Sequence, residues 1–70
     1  MLKIYNYFYA MKRINGDTSI DELQEIKRGD LVTDTFSKTG LVERIEIIDD
    51  ALYRNYEFHL VTGRIISIRK

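Results

Sequence analysis

Gly29-Asp30-Leu31-Val32-Thr33-Asp34-Thr35-Phe36, then Ser37-Lys38-Thr39-Gly40, then Leu41-Val42-Glu43-Arg44-Ile45-Glu46-Ile47-Ile48 is the stretch that decides the fold. Two β-branched, alternating runs flank a turn cluster that ends in a glycine, the pattern of a β-hairpin with a three- to five-residue loop. Working outward from this hairpin, strands are expected over 30–36 and 41–49, with two more over 55–61 and 64–69. The polar connection Asp49 to Asn55 marks an exposed hairpin end, and Thr62-Gly63 reads as a two-residue turn between the last two strands. The absence of proline lets every strand donate its full ladder of hydrogen bonds.

Upstream of the hairpin, Ser19 with Glu22 three residues on forms a capping box that starts a helix. Ile20, Leu23 and Ile26 give it one apolar side, Asp21 and Glu22 stand at its positive end, and Lys27 and Arg28 at its negative end. Gly29 is the expected left-handed residue after its last turn. So short a helix does not hold its shape alone in water, so its apolar side must dock on the sheet. Ile20, Leu23 and Ile26 are therefore expected in one core with Val42, Ile45, Phe58, Leu60 and Ile66 or Ile68.

The amino-terminal stretch alternates in two sets, Leu2, Ile4, Asn6, Phe8 and Ala10 against Lys3, Tyr5, Tyr7, Tyr9 and Met11. Its aromatic and β-branched content favours a strand over about 2–13. Asn15-Gly16-Asp17 then turns the chain toward the helix. If the even set faces the core, three tyrosines flanked by Lys3, Lys12 and Arg13 form an outer stripe; if the odd set is buried, the stripe is structural.

The order strand, helix, four-strand meander in 70 residues implies a mainly β (α+β) single small domain. A strongly curved five-stranded sheet of this size tends to curl into a small barrel, because closure removes exposed edges. Gly29-Asp30-Leu31-Val32 and Gly40-Leu41-Val42-Glu43-Arg44-Ile45 resemble the opening hairpin of SH3-like barrels of the KOW kind, in which a Gly-Asp-x-Val strand leads to a Gly-x-Val-x-x-Ile strand. The resemblance covers this hairpin and implies a five-stranded SH3-like barrel that binds nucleic acid or protein without catalysis. An open α+β sheet with the helix across one face, and an Sm-like barrel, are the alternatives.

Composition narrows the chemistry. Cysteine is absent, which removes disulfides and thiolate metal sites and fits a reducing, cytoplasmic setting. No signal peptide and no apolar run long enough to span a bilayer are legible. His59 is the one imidazole, and alternation places it with Glu57 and Val61 on an outer or rim position. No nucleophile motif surrounds Ser19, Ser37 or Ser67, and the glycines form no phosphate-binding loop, so no enzyme and no cofactor are expected. Asp49-Asp50 reads as a solvated turn and not as a cation site.

Net charge is zero but unevenly spread. Lys3, Lys12 and Arg13 stand without an acid at one end, and Arg54, Arg64, Arg69 and Lys70 against Glu57 at the other, while acids dominate between Asp17 and Asp50. If first and last strands meet when the meander closes, Lys3, Tyr5, Tyr7, Tyr9, Lys12, Arg13, Arg64, Arg69 and Lys70 merge into one basic and aromatic face. Tyrosine and arginine are enriched at interfaces, and aromatic rings beside cations stack on bases while the cations meet phosphates. Two functions follow: an interaction protein that binds a protein partner or itself as a homodimer, or a nucleic-acid-binding module. The acidic middle offers a counter-charged patch and favours the first. In length, tyrosine content and lack of cysteine the chain is similar to free-standing products of phage and mobile-element genes of Gram-positive bacteria.

Overall fold

The computed structural model describes residues 11–70. Strands β1 (Lys12–Arg13), β2 (Leu31–Thr33), β3 (Thr39–Asp49), β4 (Arg54–Leu60) and β5 (Ile65–Arg69) form one mixed sheet in sequential order, and a single short helix, α1 (Ile20–Gln24), links β1 to β2. β1 runs parallel to β2, with Lys12 opposite Val32, and every other pairing is antiparallel. Most of the strand expected over 2–13 lies outside the described residues. The described strands do not close into a barrel: β1 pairs with β2, and no pairing joins it to β5, so the expected meeting of first and last strands does not occur among them.

β3 serves both halves of the sheet. Its first residues pair with β2, and the remainder pairs with β4. The register slips between Val42 and Arg44, where Val42 faces Leu60 and Arg44 faces His59, so Glu43 is the extra residue of a β-bulge. A bulge reverses the alternation of side chains along a strand, which is how Val42 and Ile45, three apart, both point to the core. The core gathers Ile14, Leu23, Ile26, Val32, Val42, Tyr56, Phe58, Leu60, Ile66 and Ile68, with Ile45 packed against it. β4 and β5 supply it by strict alternation.

The capping box forms as expected. Ser19 Oγ accepts from the Glu22 backbone N–H at 3.2 Å, and Glu22 Oε1 accepts from the Ser19 N–H at 3.3 Å. The helix ends earlier than expected, with Glu25 as its C-cap. Glu25 and Ile26 donate to the carbonyls three residues back, which tightens the last turn. Lys27 and Arg28 therefore stand beyond the helix. Gly29, at φ 93°, occupies the third position of a turn closed by Asp30 N–H to Lys27 O, where a positive φ favours glycine. This turn lets the Gly29 N–H reach Val42 O at 2.8 Å and tie the segment to β3. Leu23 and Ile26 are buried, whereas Ile20 is 45% exposed and is not a core residue.

Two turns differ from expectation. β2 ends at Thr33, and the turn runs Asp34 to Lys38, because Asp34 Oδ1 accepts from the N–H groups of Phe36 and Lys38 and Ser37 takes φ 66°. Thr39 and Gly40 already belong to β3. Between β4 and β5 the loop is Val61-Thr62-Gly63, closed by Leu60 N–H to Arg64 O, with Gly63 at φ 94°. A three-residue hairpin loop ends in such a left-handed residue. No helix among the described residues is long and apolar enough to cross a membrane.

Burial sets the expected mutational costs. Leu23→Ala should destabilise the protein by about 2–5 kcal/mol, Ser19→Ala by about 1 kcal/mol, and Ile20→Ala by roughly 0.5 kcal/mol or less, as for other exposed positions. Urea midpoints of the three variants would check this order; an Ile20→Ala cost as large as that of Leu23→Ala would contradict the placement of the helix.

Candidate interaction surface

Alternation divides β3, β4 and β5 into a core face and an outer face. On the outer face the registers set three cross-strand rows: Arg44, His59 and Ile65; Glu46, Glu57 and Ser67; Ile48, Asn55 and Arg69. Two glutamates thus stand directly opposite each other, an arrangement that destabilises a sheet unless it is compensated. Arg44 Nε donates to Glu46 Oε2 at 2.8 Å, Asn55 Nδ2 donates to Glu57 Oε2 at 3.2 Å, and His59 Nε2 lies 3.3 Å from Glu57 and 3.8 Å from Glu46. The Arg44 hydrogen bond holds the Glu46 carboxyl below its ordinary range against a smaller opposing effect of burial.

Glu46, Glu57 and His59 each offer one ligand atom within 4.8 Å of the others, so they are the described residues that would hold a divalent cation. Arg44 and Asn55 already occupy oxygen atoms of this group, and they neutralise or satisfy it without an ion. Sequence reading placed His59 beside Glu57 and missed Glu46. The missing information was the hairpin register, counted from the turn closed by Asp50 N–H to Tyr53 O, which brings Glu46 across from Glu57. His59 meets two carboxylates, those of Glu57 and Glu46.

Of the cations expected to merge into one face, Lys12, Arg69 and Lys70 have partners. Lys12 Nζ binds Asp30 Oδ2 at 3.0 Å. Arg69 stacks 4.2 Å over the Tyr53 ring, and Lys70 Nζ donates to Gly16 O at 2.7 Å. Arg64 lies beyond the opposite end of β5 from Arg69, about 16 Å away along an extended strand. Arg13 and Arg64 are exposed. Lys3, Tyr5, Tyr7 and Tyr9 lie outside the described residues.

A different surface emerges from the hydrogen bonding of β3. Arg54 and Lys70 exchange N–H and carbonyl bonds, and Leu60 N–H binds Arg64 O, so alternate β4 residues from Arg54 to Leu60 turn their backbone groups to β5. Asn55, Glu57 and His59 then turn theirs to β3, where they meet Ile48, Glu46 and Arg44. Ile45, Ile47 and Asp49 consequently point their N–H and carbonyl groups away from β4. The same side of β3 is covered further back, where Val42 exchanges bonds with Gly29 and Asp30. From Ile45 to Asp49, no described strand pairs with it. Ile47 and Ile48 on this segment are 52% and 48% exposed, and Leu52 at the hairpin tip is 88% exposed.

A recess lies between the β2–β3 turn and β5. It measures about 160 Å³ and is lined by Ile14, Phe36, Ile66 and Ile68 among others. Lys38 Nζ spans it to Ile65 O at 3.0 Å. Comparisons with protein-family models, with curated proteins and with solved structures find no match to this chain.

Asp30 anchors this region electrostatically. Burial works to raise its pKa, but the Lys27 N–H and the Lys12 ammonium outweigh burial and hold the carboxyl below its ordinary 3.8. A depressed folded-state pKa contributes stability that is present above the unfolded value and lost as pH falls through the folded one. Acid titration of the urea midpoint should therefore show a loss below about pH 3.8 that is reduced in Asp30→Asn; an unchanged acid limb would show that Asp30 has no such role.

Proposed function

We propose that this chain is a small non-enzymatic interaction protein that binds a protein partner or itself. The observation that carries this reading is the uncovered segment of β3, with its exposed isoleucines and outward backbone groups. Apolar side chains beside an open strand edge are what a strand-adding partner uses. The tyrosine-rich stretch with Tyr5, Tyr7 and Tyr9 leads into β1, an edge strand of the sheet, and in this reading it supplies a second contact. The bent, mixed five-stranded sheet supports kinship with SH3-like barrels, in an opened form.

Binding of nucleic acid is the competing reading, and the partners found for Lys12, Arg69 and Lys70 weaken it. Mass in solution at low and high micromolar concentration, with and without a single-stranded oligonucleotide, separates the two. The interaction reading expects the mass to rise with protein concentration and to ignore the oligonucleotide. A monomer at both concentrations that binds the oligonucleotide, with affinity falling steeply as salt rises, would overturn it.

A further inference from the structure

We propose that the edge of β3 that no described strand covers pairs with the same edge of a second copy, antiparallel about a two-fold axis at Ile47. This deepens the interaction reading and rests on it. A strand edge that joins its own copy must be self-complementary, and this one has few ways to be so.

Antiparallel hydrogen-bonded pairs require outward-pointing residues on both strands, so Ile45, Ile47 and Asp49 must face members of the same set. The available span begins after Val42, whose edge Gly29 and Asp30 occupy, and ends at Asp50, whose N–H binds Tyr53 O in the hairpin turn. The outward-pointing residues within it are Ile45, Ile47 and Asp49, and their midpoint is Ile47. Centring the pair there sets Ile47 against Ile47 of the copy and Ile45 against Asp49, and these pairs exchange the backbone bonds. On the outer face it sets Arg44 against Asp50 twice. Sliding the centre to Glu46 opposes the two Glu46 carboxylates and drives Asp50 against the covered Val42. Sliding it to Ile48 opposes Glu46 and Asp50 twice. Like charges directly opposite destabilise a sheet, so charge and available length select the same register.

The Arg44 and Asp50 side chains keep polar atoms for these contacts: Asp50 Oδ1 accepts from the Ala51 N–H at 2.6 Å and leaves Oδ2. Arg44 uses Nε on Glu46 and keeps its terminal nitrogens for a second carboxylate. Arg44 and Asp50 are both exposed. Pairing would cover Ile47 and extend the row of β3, β4 and β5 across the axis into a continuous sheet of both copies.

Sedimentation velocity of the full chain tests this, with far-UV circular dichroism to verify that each variant is folded. The wild type should shift from monomer to dimer across the micromolar range. Ile47→Pro removes an N–H that β4 does not use, at an edge position where proline is tolerated, and should abolish the dimer. Arg44→Asp should weaken dimerisation about tenfold, and adding Asp50→Arg to it should restore the dimer. Failure of the double variant to recover would overturn the register even if Ile47→Pro does not fold. A dimer that survives Ile47→Pro and Arg44→Asp but is lost when Tyr5, Tyr7 and Tyr9 become serine would overturn the edge pairing and leave the interaction reading standing. A wild type monomeric at high micromolar concentration overturns the pairing as well, and together with salt-sensitive oligonucleotide binding it removes both.

Discussion

The bulge at Glu43 is the constraint on which the rest of the sheet depends. Without it, strict alternation from Val42 would bury Arg44 and Glu46 and expose Ile45 and Ile47, and β3 would carry its charges into the core. One inserted residue reverses that outcome. The residues before it pair with β2 on one edge and with β4 on the other, while those after it pair, among the described strands, with β4 alone.

The other side of the sheet is managed differently. β5 and β1 do not pair, and the interval between them is closed by side chains in place of a backbone ladder. Ile14 enters the core from the β1 side, Lys38 reaches the Ile65 carbonyl, and Lys70 reaches the Gly16 carbonyl. Lysine ammonium groups are long-reaching donors, so they can satisfy carbonyls at a sheet margin where strand geometry does not bring two backbones together. These lysines also place cations along that margin, which discourages strand addition there. Among the described residues, β3 from Ile45 to Asp49 has no equivalent guard.

Much of this was legible from the sequence, and the misses have physical causes. The capping box at Ser19 and the alternation of β4 and β5 are local signals, and both are present. The end of the helix misled because Lys27, Arg28 and Gly29 carry the signature of a C-terminus, while the Gly29 N–H is claimed by Val42 in a distant strand. The β2–β3 turn misled because the Asp34 carboxylate and a left-handed Ser37 did the work expected of Gly40. Val42 and Ile45 were both legible as apolar, yet their spacing fits no strict strand period. That mismatch was the available sign of the bulge. The partners of Lys12 and Lys70 were not legible either, because they lie 18 and 54 residues away along the chain.

The outer face explains why a cluster of ionisable groups here is structural in character. Glu46 and Glu57 face each other in the register that runs from the β3–β4 turn, and their repulsion destabilises the pairing unless it is offset. Arg44, Asn55 and His59 do this from three sides, each through a short hydrogen bond or close contact. Glu46 Oε2 and both Glu57 carboxylate oxygens have partners within the sheet. By contrast, the Ile45 to Asp49 backbone has outward donors and acceptors that no described strand meets, beside isoleucines that the core does not cover. Unsatisfied bonding capacity and exposed apolar area coincide on that edge, and this coincidence directs the functional reading to β3 and away from the carboxylates beside it.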